Sequence, residues 1–88
     1  MNAARRKIIT ALQAEISAII DQISNLRDDI EEVLTEEQEA FDSLPESLQN
    51  SDRGQASYDA IGQIEAALDY LDNTGMSEAH DALDEAKA

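Results

Sequence analysis

At 88 residues, with no cysteine, one histidine and three aromatic side chains, the chain is too small to enclose a large core. It also lacks the disulfide or Cys/His zinc set that could hold a small core together. Its net charge of −14, twenty acids against six bases, argues against direct binding to nucleic acid or to an anionic membrane and makes basic protein surfaces the favoured partners.

The N-terminus, Met1 to Ile9 with Arg5, Arg6 and Lys7, briefly resembles the charged start of a secretory leader. Gln13 and Glu15 interrupt the apolar stretch that would have to follow, and no run approaches the roughly 18 apolar residues of a membrane span. A cytoplasmic location is the expectation.

A first helix is predicted from about Ala3 to Asp42, roughly 60 Å long at about 1.5 Å per residue. Within it Ile9, Leu12, Ile16, Ile19, Ile23, Leu26, Ile30 and Val33 follow alternating steps of three and four. With Ile9 at heptad position a, the isoleucines at 9, 16, 23 and 30 occupy a, and Leu12, Ile19, Leu26 and Val33 occupy d. The next rungs are Glu37 and Ala40, so the seam weakens where acid accumulates. Ser43-Leu44-Pro45-Glu46 then breaks the helix, because proline disfavours helix at the residue before it. Ser43 with Glu46 fits a capping box that opens a helical turn through about Gln49.

After the polar turn, with Ser51 or Asp52 as N-cap, a second helix is predicted from about Arg53 to Asp72, carrying Ile61, Ile64, Leu68 and Leu71. Asn73-Thr74-Gly75 reads as a C-cap or kink. A short helix follows from about Ser77 to Lys87, with Ala79, Leu83 and Ala86 along it and Met76 at its entrance. Folding the chain back around residues 46–50 pairs positions that sum to about 95. Leu34 then meets Ile61, Ile30 meets Ile64, Leu26 meets Leu68, Ile23 meets Leu71, Ile19 meets Met76 and Leu12 meets Leu83. The expected fold is a single all-α domain, a long antiparallel coiled-coil-like hairpin with a broken second arm. In this reading the a/d seam is mostly covered by the second arm, while Ile8, Ile20 and Leu34 flank it as apolar surplus. Burying such a side chain is worth about 1.5–3 kcal/mol, so these three are expected to form the interface of a homodimer, a four-helix bundle, or to meet a partner that supplies the missing helices. Antiparallel first helices would also set Arg5, Arg6 and Lys7 beside Glu36 to Asp42 of the other copy.

Signals for catalysis or metal binding are weak. His80 with Ser77 and Asp81 or Asp84 forms a triad only by coincidence of composition. Asp28, Glu32 and Glu36 share a helix face but lack the Glu-x-x-His pairs of helical metal sites. Placing Gly75 at the sixth position of a calcium loop puts Tyr70 where an acid is required. No cofactor, metal or catalytic residue is expected. From Asp28 to Asp52, however, there are ten carboxylates and no lysine or arginine. Seven of them lie between Asp28 and Glu39, on about 17 Å of helix, where duplex DNA would carry roughly ten charges. Asp28, Asp29, Glu32, Glu36, Glu39 and Asp42 are therefore the candidate partner-binding face, against the plainer reading of a solvated acidic helix.

The stretch Phe41-Asp-Ser-Leu-Pro45-Glu-Ser-Leu-Gln, a polar gap, then Arg53-Gly54, followed by an acidic Ala/Ile/Leu-rich helix, resembles small acidic helical proteins encoded by phages and prophages. The resemblance covers roughly residues 30–72. It implies a protein that binds host machinery such as a nuclease or CRISPR complex, with Phe41, Leu44, Leu48 and Arg53 as candidates for a shaped recognition turn. The expected function is that of a non-enzymatic inhibitor of a host defence or nucleic-acid-processing complex, similar in principle to anti-CRISPR proteins. The alternative is an assembly factor working through coiled-coil oligomerisation.

Overall fold

The computed structural model describes all 88 residues. It is all-α, with four helices and no strand: α1 (Ala3–Asp42), α2 (Glu46–Gln49), α3 (Asp52–Asp72) and α4 (Met76–Lys87). Met1–Asn25 with Thr74–Ala88 form one compact unit, and Leu26–Asn73 form another.

Local chemistry explains each boundary. The Asn2 side chain accepts a hydrogen bond from the Arg5 amide at 2.8 Å, so α1 opens on a capping contact. At its other end Ser43 does not build the expected capping box. Its hydroxyl donates back to Glu39 O at 2.8 Å, and α2 begins instead behind Pro45, which makes no side-chain cap. Ser43 still lies under the last turn of α1, where back-bonding to the carbonyl four residues earlier is the nearer option. Gln49 Nε2 reaches from α2 to the carbonyls of Phe41 and Leu44, at 3.3 and 3.2 Å, tying α2 to the end of α1; Phe41 O also accepts from the Leu44 amide at 3.0 Å. Ser51 caps α3, accepting from the Gly54 amide at 3.3 Å. A Cβ on Gly54 would run into the backbone carbonyls of Leu48 and Gln49, so only glycine lets α3 approach α2 this closely. Gly75 takes the left-handed conformation, φ 75°, as the N-cap of α4.

Within each unit a stretch of α1 pairs antiparallel with a returning helix. In the first, Gln13 reaches His80 and Asp84, and Lys87 reaches Thr10. In the second, Arg27 binds Asp72 and Ser57 binds Glu37. These pairs lie within a few residues of the register expected from the sequence. The face of α1 that turns inward is different from the one expected. The half-buried or buried residues are Ile9, Gln13, Ile16, Ile20, Ile23, Arg27, Ile30, Leu34, Glu37 and Phe41, which are positions a and e. Position d is exposed throughout: Leu12, Ile19, Leu26 and Val33 are each 40–53% accessible. Ile20 and Leu34, expected to flank the seam, lie in it, while Leu12, Ile19 and Leu26, expected to be covered by Leu83, Met76 and Leu68, stay 44%, 40% and 50% exposed.

The apolar stripe of α1 spans d, a and e, wide enough for two neighbours, so periodicity alone does not choose between its edges. Gln13 and Arg27 lie on the e edge, the side on which both find partners on the returning helices. In α4 the half-buried residues are Met76, His80, Leu83 and Lys87, while Ala79 and Ala86 face out. In α3 the expected Ile61, Ile64, Leu68 and Leu71 do face inward. Leu68, 6% exposed, is the only buried hydrophobic residue of the chain.

Candidate interaction face

The six carboxylates singled out in the sequence, Asp28, Asp29, Glu32, Glu36, Glu39 and Asp42, occupy positions c, f and g of α1. All are exposed, and none takes part in an ion pair. They cover the side of the helix away from the a/e seam, so they project into solvent. Charge is strongly segregated along the chain. Residues 26–73 carry fourteen acids against two bases, whereas residues 1–25 and 74–88 together carry six acids against four bases.

Of the two bases in the acidic unit, Arg27 is engaged. Its Nε donates to Asp72 Oδ1 at 2.6 Å and its Nη2 to Asp72 Oδ2 at 3.1 Å, while Nη1 pairs with Glu31. The bidentate contact is the strong geometry for such a pair. Hydrogen bonding from Arg27 holds the Asp72 carboxyl below its ordinary range, and the two carboxylates raise the Arg27 guanidinium in turn. Arg53 is left as the only cation of this unit outside an ion pair.

The turn residues divide. Phe41 and Leu44 are half-buried, and the Phe41 ring lies 6.4 Å from that of Tyr58 in a tilted arrangement, so these two close the end of the α1/α3 pair. Leu48 and Arg53 are exposed. Arg53 lines a shallow depression with Glu37, Ala40, Leu44, Ala56 and Ser57. Glu37, a polar rung in the seam, is held by the Ser57 hydroxyl at 2.6 Å.

The structure adds a feature that heptad spacing does not reveal. Beside the acidic face lies the exposed d row, and between α1 and α3 it borders an open groove of about 430 Å³. Asp29, Ile30 and Val33 form one wall, and Gln63, Ile64 and Ala67 the other. The signal for it in the sequence is the pair of long polar residues, Gln13 and Arg27, in an otherwise apolar e row. Ile8, the third residue expected at an oligomer interface, is exposed on the g side next to Leu12.

In the other unit, His80 shares a small pocket with Ser17, Ile20, Ser77 and Asp81. Its Nδ1 lies 3.7 Å from Asp81, and no serine hydroxyl is hydrogen-bonded to the ring. No group of three or more His, Cys, Asp or Glu side chains is placed to hold a metal ion, and no helix is long and apolar enough to cross a membrane. The chain matches no protein family, and no curated protein or solved structure is similar to it at a significant level.

Proposed function

We propose that this chain is a non-enzymatic interaction protein that occupies a basic surface on another protein with the acidic face of α1. The observation that carries the reading is the unpaired state of Asp28, Asp29, Glu32, Glu36, Glu39 and Asp42 beside a single free cation, Arg53. A like-charged surface this dense repels itself, and a basic partner relieves that repulsion. A host nuclease, CRISPR complex or other nucleic-acid-processing assembly is the partner we propose, as the expected resemblance of residues 30–72 to phage-encoded proteins would imply, with inhibition as the proposed outcome. Leu48 and Arg53, exposed at the turn, supply shape at the end of the same face. Immobilised protein should retain a basic host protein at low salt and lose it at about 0.5 M salt, where exposed charges are screened beyond a few ångströms. The triple variant Glu32→Lys, Glu36→Lys, Glu39→Lys should retain nothing. Undiminished capture by that variant would remove the electrostatic mechanism.

The exposed d row favours a second reading, an assembly factor that associates through its first helix, including with a second copy of itself. Leu12, Ile19, Leu26 and Val33 repeat every seven residues on one helix, and each leaves 40–53% of its surface exposed. Light scattering at micromolar concentration decides this reading. A monomeric mass removes self-association, and a dimer that Ile19→Ser with Leu26→Ser disrupts supports it.

A further inference from the structure

The groove between α1 and α3 in the unit 26–73 has an almost wholly apolar lining, with exposed carboxylates close by on both helices. Ile30 and Ile64 line it from either helix, and Val33 and Ala67 stand at its edges. Asp29 is the one carboxylate residue of its lining, on the α1 wall; Glu36 follows Val33 by one helical turn and Asp59 precedes Gln63 by one turn on α3, so each helix carries a further exposed carboxylate next to the lining residues. No basic side chain lines it. Position 67 is alanine, so a large side chain from outside can descend between the helices.

We propose that this groove seats the apolar ridge of an amphipathic helix from a partner protein, with Lys or Arg residues flanking that ridge. The proposal rests on the reading of the chain as a binder of basic partners and specifies what such a partner presents. Flanking charges set partner choice where one helix lies along another. A helix with Leu or Ile at steps of three and four fills the trough between Val33 and Ala67, and its flanking cations meet Asp29, Glu36 and Asp59. A second copy of this chain centred on the groove fits less well, because antiparallel packing about Val33 sets Asp29 and Glu36 of one copy against Glu36 and Asp29 of the other.

The test uses the full chain and two synthetic helices of equal length and equal lysine content. One carries a leucine ridge at steps of three and four, and in the other glutamine replaces each leucine. Fluorescence anisotropy at low salt should show the ridged helix binding at least about tenfold more tightly, the effect of burying one or two aliphatic side chains. Val33→Ser and Ala67→Gln should each remove most of that advantage without changing the affinity for the glutamine helix. Val33 is 53% exposed, so its variant should keep the fold, with a circular dichroism spectrum matching that of the parent chain. Equal binding of the two helices overturns the groove while leaving the acidic face standing. Absence of salt-sensitive binding by either helix overturns both readings. A dimer of the chain alone that Val33→Ser dissociates overturns the proposal in favour of a second copy.

Discussion

Gln13 is the most buried polar residue of the chain, 4% exposed, in a row of isoleucines. Its Nε2 donates to His80 O at 3.2 Å and to Asp84 Oδ1 at 3.3 Å, but its Oε1 has no donor. An unsatisfied buried acceptor costs about 1–3 kcal/mol, so the residue holds α4 in register at the expense of stability. Gln13→Leu should raise the unfolding free energy in urea by about 1–2 kcal/mol, because it removes the orphan oxygen and adds apolar burial. Arg27 plays the corresponding part in the other unit, with Asp72 as its anchor. The folded Asp72 carboxyl titrates below its ordinary value of 3.8, so its contribution to stability is present above that value and is lost as pH falls through the lowered one. Asp72→Asn should therefore lower the urea midpoint at pH 7 and flatten the loss of stability below about pH 4. Both Gln13 and Arg27 are plain in the sequence, yet neither stands out as a determinant, because a ladder of apolar residues dominates the pattern beside them.

At the scale of the helix, one apolar stripe on α1 serves two edges. The e edge is used within the chain and the d edge is free. Truncations on the two edges should differ accordingly. Leu68→Ala, at the one buried hydrophobic position, should cost about 2–4 kcal/mol in thermal or urea unfolding. Leu26→Ser, on a side chain 50% exposed, should cost less than about 1 kcal/mol. Equal losses would mean that position d is packed after all. The boundaries of α1, α3 and α4 were legible to within a residue or so, since proline, glycine and Ser51 mark them by backbone chemistry that acts locally. The face of α1 was not, because periodicity places a stripe on a helix without saying which edge its neighbour takes.

Over the whole chain, charge is the strongest influence, and it acts with opposite signs on stability and on binding. Fourteen of the twenty acids lie within residues 26–73, where only two bases oppose them. Raising salt from about 10 mM to 0.5 M screens that self-repulsion, so the melting temperature should rise. The same addition should weaken the hold on any basic partner. A melting temperature that fell with salt would show that the few ion pairs, such as Arg27 with Asp72, outweigh the repulsion. Scarcity of core points the same way as charge. With no hydrophobic side chain but Leu68 buried, much of the apolar surface of α1 stays available for an external helix.

The sequence by itself determined the all-α class, the helix ends, the antiparallel register and the acidic run of α1, since each follows from local propensity, capping or composition. Only the tertiary structure decided that Ile20 and Leu34 turn inward and that Leu12, Ile19, Leu26 and Val33 stay exposed. On the chosen side Gln13 and Arg27 find hydrogen-bond partners 45 or more positions away, which heptad spacing does not encode. The groove bordered by Val33 and Ala67 follows from the same choice, and so lay beyond what spacing could show.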